Sequence, residues 1–380
     1  MEKTTPARTN RVLHIITGLE NGGAEGALFR LVTHDKERTH SIISLRGPGK
    51  YGPILEAYGV EVSCLHLSAK TMPKALGKLV AKIRAANADV VQTWLYHADV
   101  IGGTAARVAG AKRIIWGIRG AAIDEDRAKR STMRMVRTAA FLSRSIPEAV
   151  ISCSERAARD HVAMGYPEHL MHCVSNGYDL EQMQPDEAGR ARLRETFGVP
   201  NDTFLVGMAA RFDPQKDHAN LFEAFSLSLK DRDARLVLAG SGCDPENEAL
   251  AQLAEAAGVK DQVIFAGQQA DMPAFYSALD LHALSSAYGE GFPNVIAEAM
   301  ACGTPAVGTD VGETGLVLGE SGTLVPPRAP EALALALADA ERVWREDRDS
   351  FEAVAAAGRQ HITDNFSIAT MISGFARVWG

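Results

Sequence analysis

LDLHALSSAYGEGFPNVIAEAMACGTPAVGT, residues 279–309, reads as one strand–helix–strand unit. The apolar run LDLHALSS ends in a polar, glycine-rich corner, and TPAVGT resumes the strand pattern beyond it. Between them Pro293 suits the first turn of a helix, where its missing N–H would find no partner anyway. Val295, Ile296, Ala299 and Met300 supply an apolar face, and Cys302-Gly303-Thr304-Pro305 stops the helix with glycine past its end and proline further on. The unit predicts parallel neighbouring strands joined by a crossover helix.

Outward from it the same rhythm holds. TFLVGMAA, ARLVLAG, VIFAG and GTLVPP read as further strands, with helices near 217–230, 246–257, 272–278 and 330–345 beside the one at 293–301. The first half gives VLHIIT (12–17), HSIISL, VEVSCLHL, DVVQTW, RIIWGI and AVISCS, with a helical ALFRLV region after the first strand. Such alternation predicts α/β architecture with two doubly wound parallel sheets. A chain of 380 residues is long for one core, so two domains are expected. The boundary is placed in YDLEQMQPDEAG (178–189), which Pro185 and Gly189 punctuate. This gives a first domain over 1–185, a second over 186–360, and a terminal helix over 361–380 expected to pack back on the first.

Composition narrows the classes. The net charge is -7, but residues 1–185 hold 25 Lys and Arg against 18 Asp and Glu, whereas residues 186–380 hold 15 against 29. That contrast suggests different partners for the two halves. No window approaches the roughly eighteen apolar residues of a membrane span, and MEKTTPARTN lacks a secretory core, so a cytoplasmic protein is expected. The five cysteines are scattered with no C-x-x-C, which suits reduced thiols rather than disulfides or structural zinc. The histidines show no H-x-x-x-H spacing. No metal, other cofactor or nucleic-acid partner is expected.

Ligands of such domains sit outside the carboxyl ends of the strands, so the loops there should carry chemistry. In GLENGGAEGALFRLV, Gly22 and Gly23 permit close backbone approach, and a helix opening near Ala24 would aim N–H groups at an anion. A simple turn into an amphipathic helix fits the same residues. In MAARFDPQKDHANLFEAF, Arg211 just past a strand and Lys216 just before a helix suit a diphosphate, and equally a solvated pair of cations. In the opening stretch Glu290 stands on the corner and Glu298 one turn beyond Asn294. Carboxylates beside an anion site would accept hydrogen bonds from sugar or ribose hydroxyls, although two solvated acids would look alike in sequence.

E-G-F-P-N-V-I-A-E resembles the E-x7-E element of the retaining family 4 glycosyltransferases of GT-B fold. The resemblance runs from GLENGGAE through ARFDPQKDH, LAGSG and FAGQQADMPAFYSALDL to GTLVPP. It implies two Rossmann-like domains facing across a cleft: an acceptor-side first domain and a second that binds a nucleoside diphosphate sugar, UDP-linked by family habit. It further implies that Glu290 contacts the transferred sugar and Glu298 holds the ribose hydroxyls. The backbone of Gly291, Phe292, Pro293, Asn294 and Val295, with Arg211 and Lys216, would bind the diphosphate, while the Gly22-Gly23 loop closes over the donor. The chemistry implied is front-face transfer with retention, without metal, the departing phosphate oxygen taking the acceptor proton.

VVQTWLYHADVIGG departs from the family pattern, with Gln92 and Trp94 where H-x-H is usual. His97 is the nearest substitute, and also reads as a helix-start or surface histidine. DED at 124–126 reads as exposed charge leading into RAKR. DEDRAKRSTMRMVRTAAFLSRS sets Arg127, Lys129, Arg130, Arg134, Arg137 and Arg144 among apolar residues, as a peripheral membrane helix would, or one packed on the sheet. The expected acceptor is a saccharide, polyprenyl-diphosphate-linked as in surface-polysaccharide assembly, met at an anionic inner membrane face. A nucleotide-sugar epimerase of the same fold is the alternative. A dinucleotide oxidoreductase lacks its fingerprint, since GSGCDP (240–245) has proline where the third glycine belongs.

Overall fold

The computed structural model describes residues 10–68, 72–120 and 130–380 of the chain. It divides into two compact units, one of Met1–Gly177 with Ile368–Gly380 and one of Tyr178–Ser367. These limits differ from the expected 185/186 and 360/361.

In unit 1 the strands are β1 (Arg11–Ile16), β2 (Thr39–Ser44), β3 (Glu61–Cys64), β4 (Val90–Trp94), β5 (Ile114–Ile118), β6 (Ala149–Ser152) and β7 (Met171–Cys173). Helices α1 (Gly23–His34), α2 (Tyr51–Ala57), α3 (Met72–Ala86), α4 (Gly103–Ala109), α5 (Arg130–Leu142) and α6 (Glu155–Ala163) alternate with them. The parallel strands lie in the order β3-β2-β1-β4-β5-β6-β7. Every residue of β4, β5 and β6 is buried, which is why these runs read as continuously apolar: helices cover both faces of a parallel sheet. The pleat sorts β1 accordingly. Leu13 and Ile15 join the core with Leu79, Ile83 and Trp116, and Val12 and Ile16 join the one with Leu28 and Leu31.

Unit 2 contains β8 (Phe204–Ala209), β9 (Ala234–Ala239), β10 (Val263–Gly267), β11 (Leu281–Leu284), β12 (Ala306–Thr309) and β13 (Thr323–Val325). Its helices are α7 (Glu187–Phe197), α8 (His218–Leu229), α9 (Glu248–Ala256), α10 (Met272–Ala278), α11 (Asn294–Ala301), α12 (Thr314–Leu318), α13 (Pro330–Glu346) and α14 (Arg348–Asn365). The sheet order is β10-β9-β8-β11-β12-β13, again parallel. The strand order reverses between β1 and β4 in one sheet and between β8 and β11 in the other. At such a switch point the flanking loops leave in opposite directions and open a crevice.

Unit 1 is completed by α15 (Ile368–Trp379), whose Met371, Phe375 and Trp379 recur every fourth residue and are buried. Phe375 stacks on Trp94, and the Trp379 indole N–H donates to Gln92 Oε1 at 3.0 Å. The single helix expected over 361–380 is therefore two segments. Residues 361–365 end α14, and Tyr178 N donates to Phe366 O at 2.9 Å where the chain leaves it.

Candidate functional site

The two loops beside the β8–β11 switch point are stitched together. Ser285 Oγ donates to the carbonyls of Lys216 at 2.8 Å and Asp217 at 3.0 Å, and Ala287 N donates to Gln215 O at 2.8 Å. Asp217, in left-handed conformation (φ 51°), caps α8 by accepting from Asn220 N at 3.4 Å. Lys216 is thus fixed from both sides. Its ammonium pairs with Glu290 Oε1, and the two side chains are only 11% and 8% exposed. Ser286 Oγ donates to the same Oε1 at 2.6 Å. A carboxylate so shielded needs such partners, because desolvation without them would cost several kcal/mol.

The corner behind Glu290 is set by contact between loops. At Gly312 (φ 62°) a Cβ would stand 2.1 Å from Glu290 O, so only glycine lets the chains approach. Glu313 N donates to Gly291 O at 3.3 Å. Pro293, with ψ 82°, is the N-cap residue of α11 rather than its first helical residue. The amides of Gly291 and Val295 have no acceptor among the described residues, and they stand at the positive end of α11. Asn294 accepts the Tyr178 hydroxyl on Oδ1 at 2.6 Å. Glu298, half-buried one turn along, accepts the hydroxyl of fully buried Tyr276 on Oε2 at 2.8 Å. Burial, and next the Glu298 charge, push that phenol well above its ordinary range, so it remains a donor.

The Arg211 side chain is 57% exposed and is engaged within its own loop. Its Nε bonds Asp213 Oδ2 at 3.2 Å and its Nη2 donates to Gln215 Oε1 at 2.8 Å. Gly240 (φ 145°) supports this turn, since a Cβ there would meet Ala210 O at 2.0 Å. Sequence reasoning singled out Lys216, Glu290, Glu298 and Arg211 as candidates and passed over Ser285, Ser286, Gly312 and Tyr276, which the structure sets beside them. The serine pair after a strand was the one local signal; the tyrosine carries none.

In unit 1, Gly22 is the N-cap of α1 and Gly23 its first residue. The Glu25 carboxylate lies against them, and a Cβ on Gly22 would stand 2.3 Å from its Oε2. Burial raises the pKa of this acid. The helix end thus already faces a carboxyl group. Gln92 and Trp94 belong to the sheet core. His97 is half-buried before a π-helical turn (Ala98–Gly102), and burial, then the Arg46 charge, lower its pKa. Asp99 in that turn is fully buried and accepts from Thr93 Oγ1 at 2.5 Å and Gly117 N at 3.3 Å. On α5, Arg134, Arg137 and Phe141 (72%) are exposed, with Arg144 just beyond. The 124–126 acids, Arg127 and Lys129, and the side chain of Arg130, lie outside the described residues. No described helix is long and apolar enough to cross a membrane.

Residues 189–357 match the family Glycosyl transferases group 1, and residues 21–182 match Glycosyltransferase Family 4. The D-inositol 3-phosphate glycosyltransferase of Salinispora arenicola is 34% identical over 227 residues, 54% of this chain and 48% of its own length. The chain thus spans about half of that relative. The GDP-mannose-dependent alpha-(1-6)-phosphatidylinositol monomannoside mannosyltransferase of Mycolicibacterium smegmatis is 30% identical over 297 residues, 74% of either chain. Anabaena HepE, solved in complex with UDP-glucose, superposes with a TM-score of 0.84 over 97% of this chain and 98% of its own at 23% identity. Sucrose-phosphate synthase from Thermosynechococcus elongatus gives 0.79 over the same shares at 19% identity. These structures share the two-domain GT-B fold.

Proposed function

The chain belongs to the glycosyl transferases of group 1, and from that premise we propose that it is a retaining transferase of the E-x7-E kind, moving a sugar from a nucleoside diphosphate sugar to an acceptor hydroxyl. The observation that carries this reading is the shielded Lys216–Glu290 pair beside the unengaged amides of Gly291 and Val295. A diphosphate is the anion that an ammonium, a helix end and two main-chain donors on one corner would hold together.

In the proposed reaction the acceptor oxygen bonds to the anomeric carbon on the face from which the diphosphate departs. The carbon–oxygen bond to phosphate breaks, and the phosphate oxygen takes the acceptor proton. Lys216, Arg211 and the corner amides stabilise charge on the leaving group, with no step assigned to a metal. Lys216 must turn from Glu290 towards the phosphate, which leaves the Glu290 carboxylate for sugar hydroxyls. Glu298 accepts from the ribose, and the family resemblance assigns Gly22 and Gly23 to closing on the donor and His97 to contact with its sugar. Uridine is the base that the family resemblance implies. A guanosine donor is the second reading, favoured by the name of the Mycolicibacterium relative.

The proposed acceptor is a lipid-linked saccharide, with Phe141, Arg134, Arg137 and Arg144 of the basic first domain toward anionic lipid. Flotation with anionic vesicles at low salt is expected to carry the protein upward, and absence of binding there would remove the membrane. The donor test is a panel of UDP- and GDP-sugars incubated with and without saccharide acceptors and read by mass. Transfer of one hexose supports the reading. An epimer formed from donor alone would replace it with the epimerase.

A further inference from the structure

We infer that Tyr276 is a positioning residue for ribose recognition, setting the orientation in which Glu298 receives the donor's hydroxyls. This rests on the reading of Glu298 as the ribose acceptor. The Tyr276 ring is fully buried, edge-on to Phe275 at 5.8 Å and to His282 at 5.7 Å, so the hydroxyl has one place to go. Its main-chain carbonyl accepts from buried Thr304 Oγ1 at 2.7 Å, which ties the end of α10 to the turn that stops α11. The phenol therefore reaches Glu298 Oε2 from a fixed framework on both sides.

A glutamate side chain rotates about three bonds, and ordering it on a ligand costs conformational entropy. A donor already bound to one oxygen removes most of that cost and orients the carboxylate plane. Phenylalanine at 276 would keep the packing and lose only the bond. Hydrogen bonds to a charged group are strong enough to show as discrimination between a ribose and a deoxyribose.

The test uses the whole chain. Dissociation constants are measured by calorimetry for UDP and GDP, for their 2′-deoxy and 3′-deoxy forms, and for inorganic pyrophosphate. Wild type is expected to prefer the ribose forms, and Glu298→Ala to lose that preference. Tyr276→Phe is expected to reduce it about five- to ten-fold, the loss of a pre-ordered carboxylate, while leaving pyrophosphate binding unchanged. A wild-type preference in Tyr276→Phe overturns the inference alone. A wild-type preference in Glu298→Ala overturns the reading beneath it as well. Should Tyr276→Phe fail to fold, 3-fluorotyrosine at 276 keeps the hydroxyl and reports by fluorine resonance. The signal is expected to move with the tighter-binding nucleotide and to stay still with pyrophosphate; a signal unmoved by that nucleotide overturns the inference.

Discussion

Lys216 combines two roles that conflict: in the unliganded chain its charge neutralises Glu290, and in the proposed reaction it neutralises a leaving diphosphate. Lys216→Ala therefore removes both. We expect kcat/KM to fall by about two to three powers of ten, equivalent to roughly 3–4 kcal/mol, with near-normal initial rates as the contrary result. Asp99 gives a prediction about stability. Burial pushes its carboxyl up to about 8, and its Oδ2 has no partner among the described residues. Between the unfolded value near 4 and the folded value near 8, the folded chain holds a proton that the unfolded chain has released. Stability must then fall as pH rises through that window. Asp99→Asn keeps an acceptor for Thr93 and Gly117, so its melting temperature should exceed that of wild type at pH 8 and converge with it at pH 4. A constant difference across that range would mean that Asp99 does not carry the proton.

At the scale of elements, the site depends on contacts between loops. Gly312→Ala would set a methyl against the Glu290 carbonyl in left-handed backbone, and we expect it to cost about 1–3 kcal/mol and to raise the donor KM. Thermal melting and donor titration check the two effects; an unchanged KM would show that the corner tolerates displacement. The strands and the helices near 217–230, 246–257, 272–278, 293–301 and 330–345 were legible because apolar runs, caps and glycine–proline stops are local signals. The Lys216–Glu290 pair was legible only as two chemistries, 74 residues apart in sequence, without their contact. Tyr276 and Glu298 are 22 residues apart on different helices, and no spacing rule joins them. The short α12 offers one turn of periodicity, too little to read. The break between α14 and α15 has neither glycine nor proline; Phe366 ends the helix by offering its carbonyl to Tyr178, a residue far away in sequence.

At the scale of the whole molecule, unit 2 is one continuous stretch, whereas unit 1 is made of two. Sequence reasoning found both sheets and placed the terminal residues with the first domain, but composition alone could not show that the chain returns at 368. We expect a fragment of residues 178–367 to melt cooperatively by calorimetry. A fragment ending at 177 should not, since it lacks the helix that covers Trp94 and Gln92. Cooperative melting of the shorter fragment would reduce α15 to an accessory. Trp379→Ala in the full chain tests the same face and should cost about 3–5 kcal/mol. This connectivity bears on synthesis. On the ribosome the first sheet emerges early yet stays unfinished, its tryptophan-lined side bare, while 190 intervening residues are translated and fold. During that interval the nascent chain exposes a sticky surface, and its dependence on chaperones should end when α15 leaves the exit tunnel.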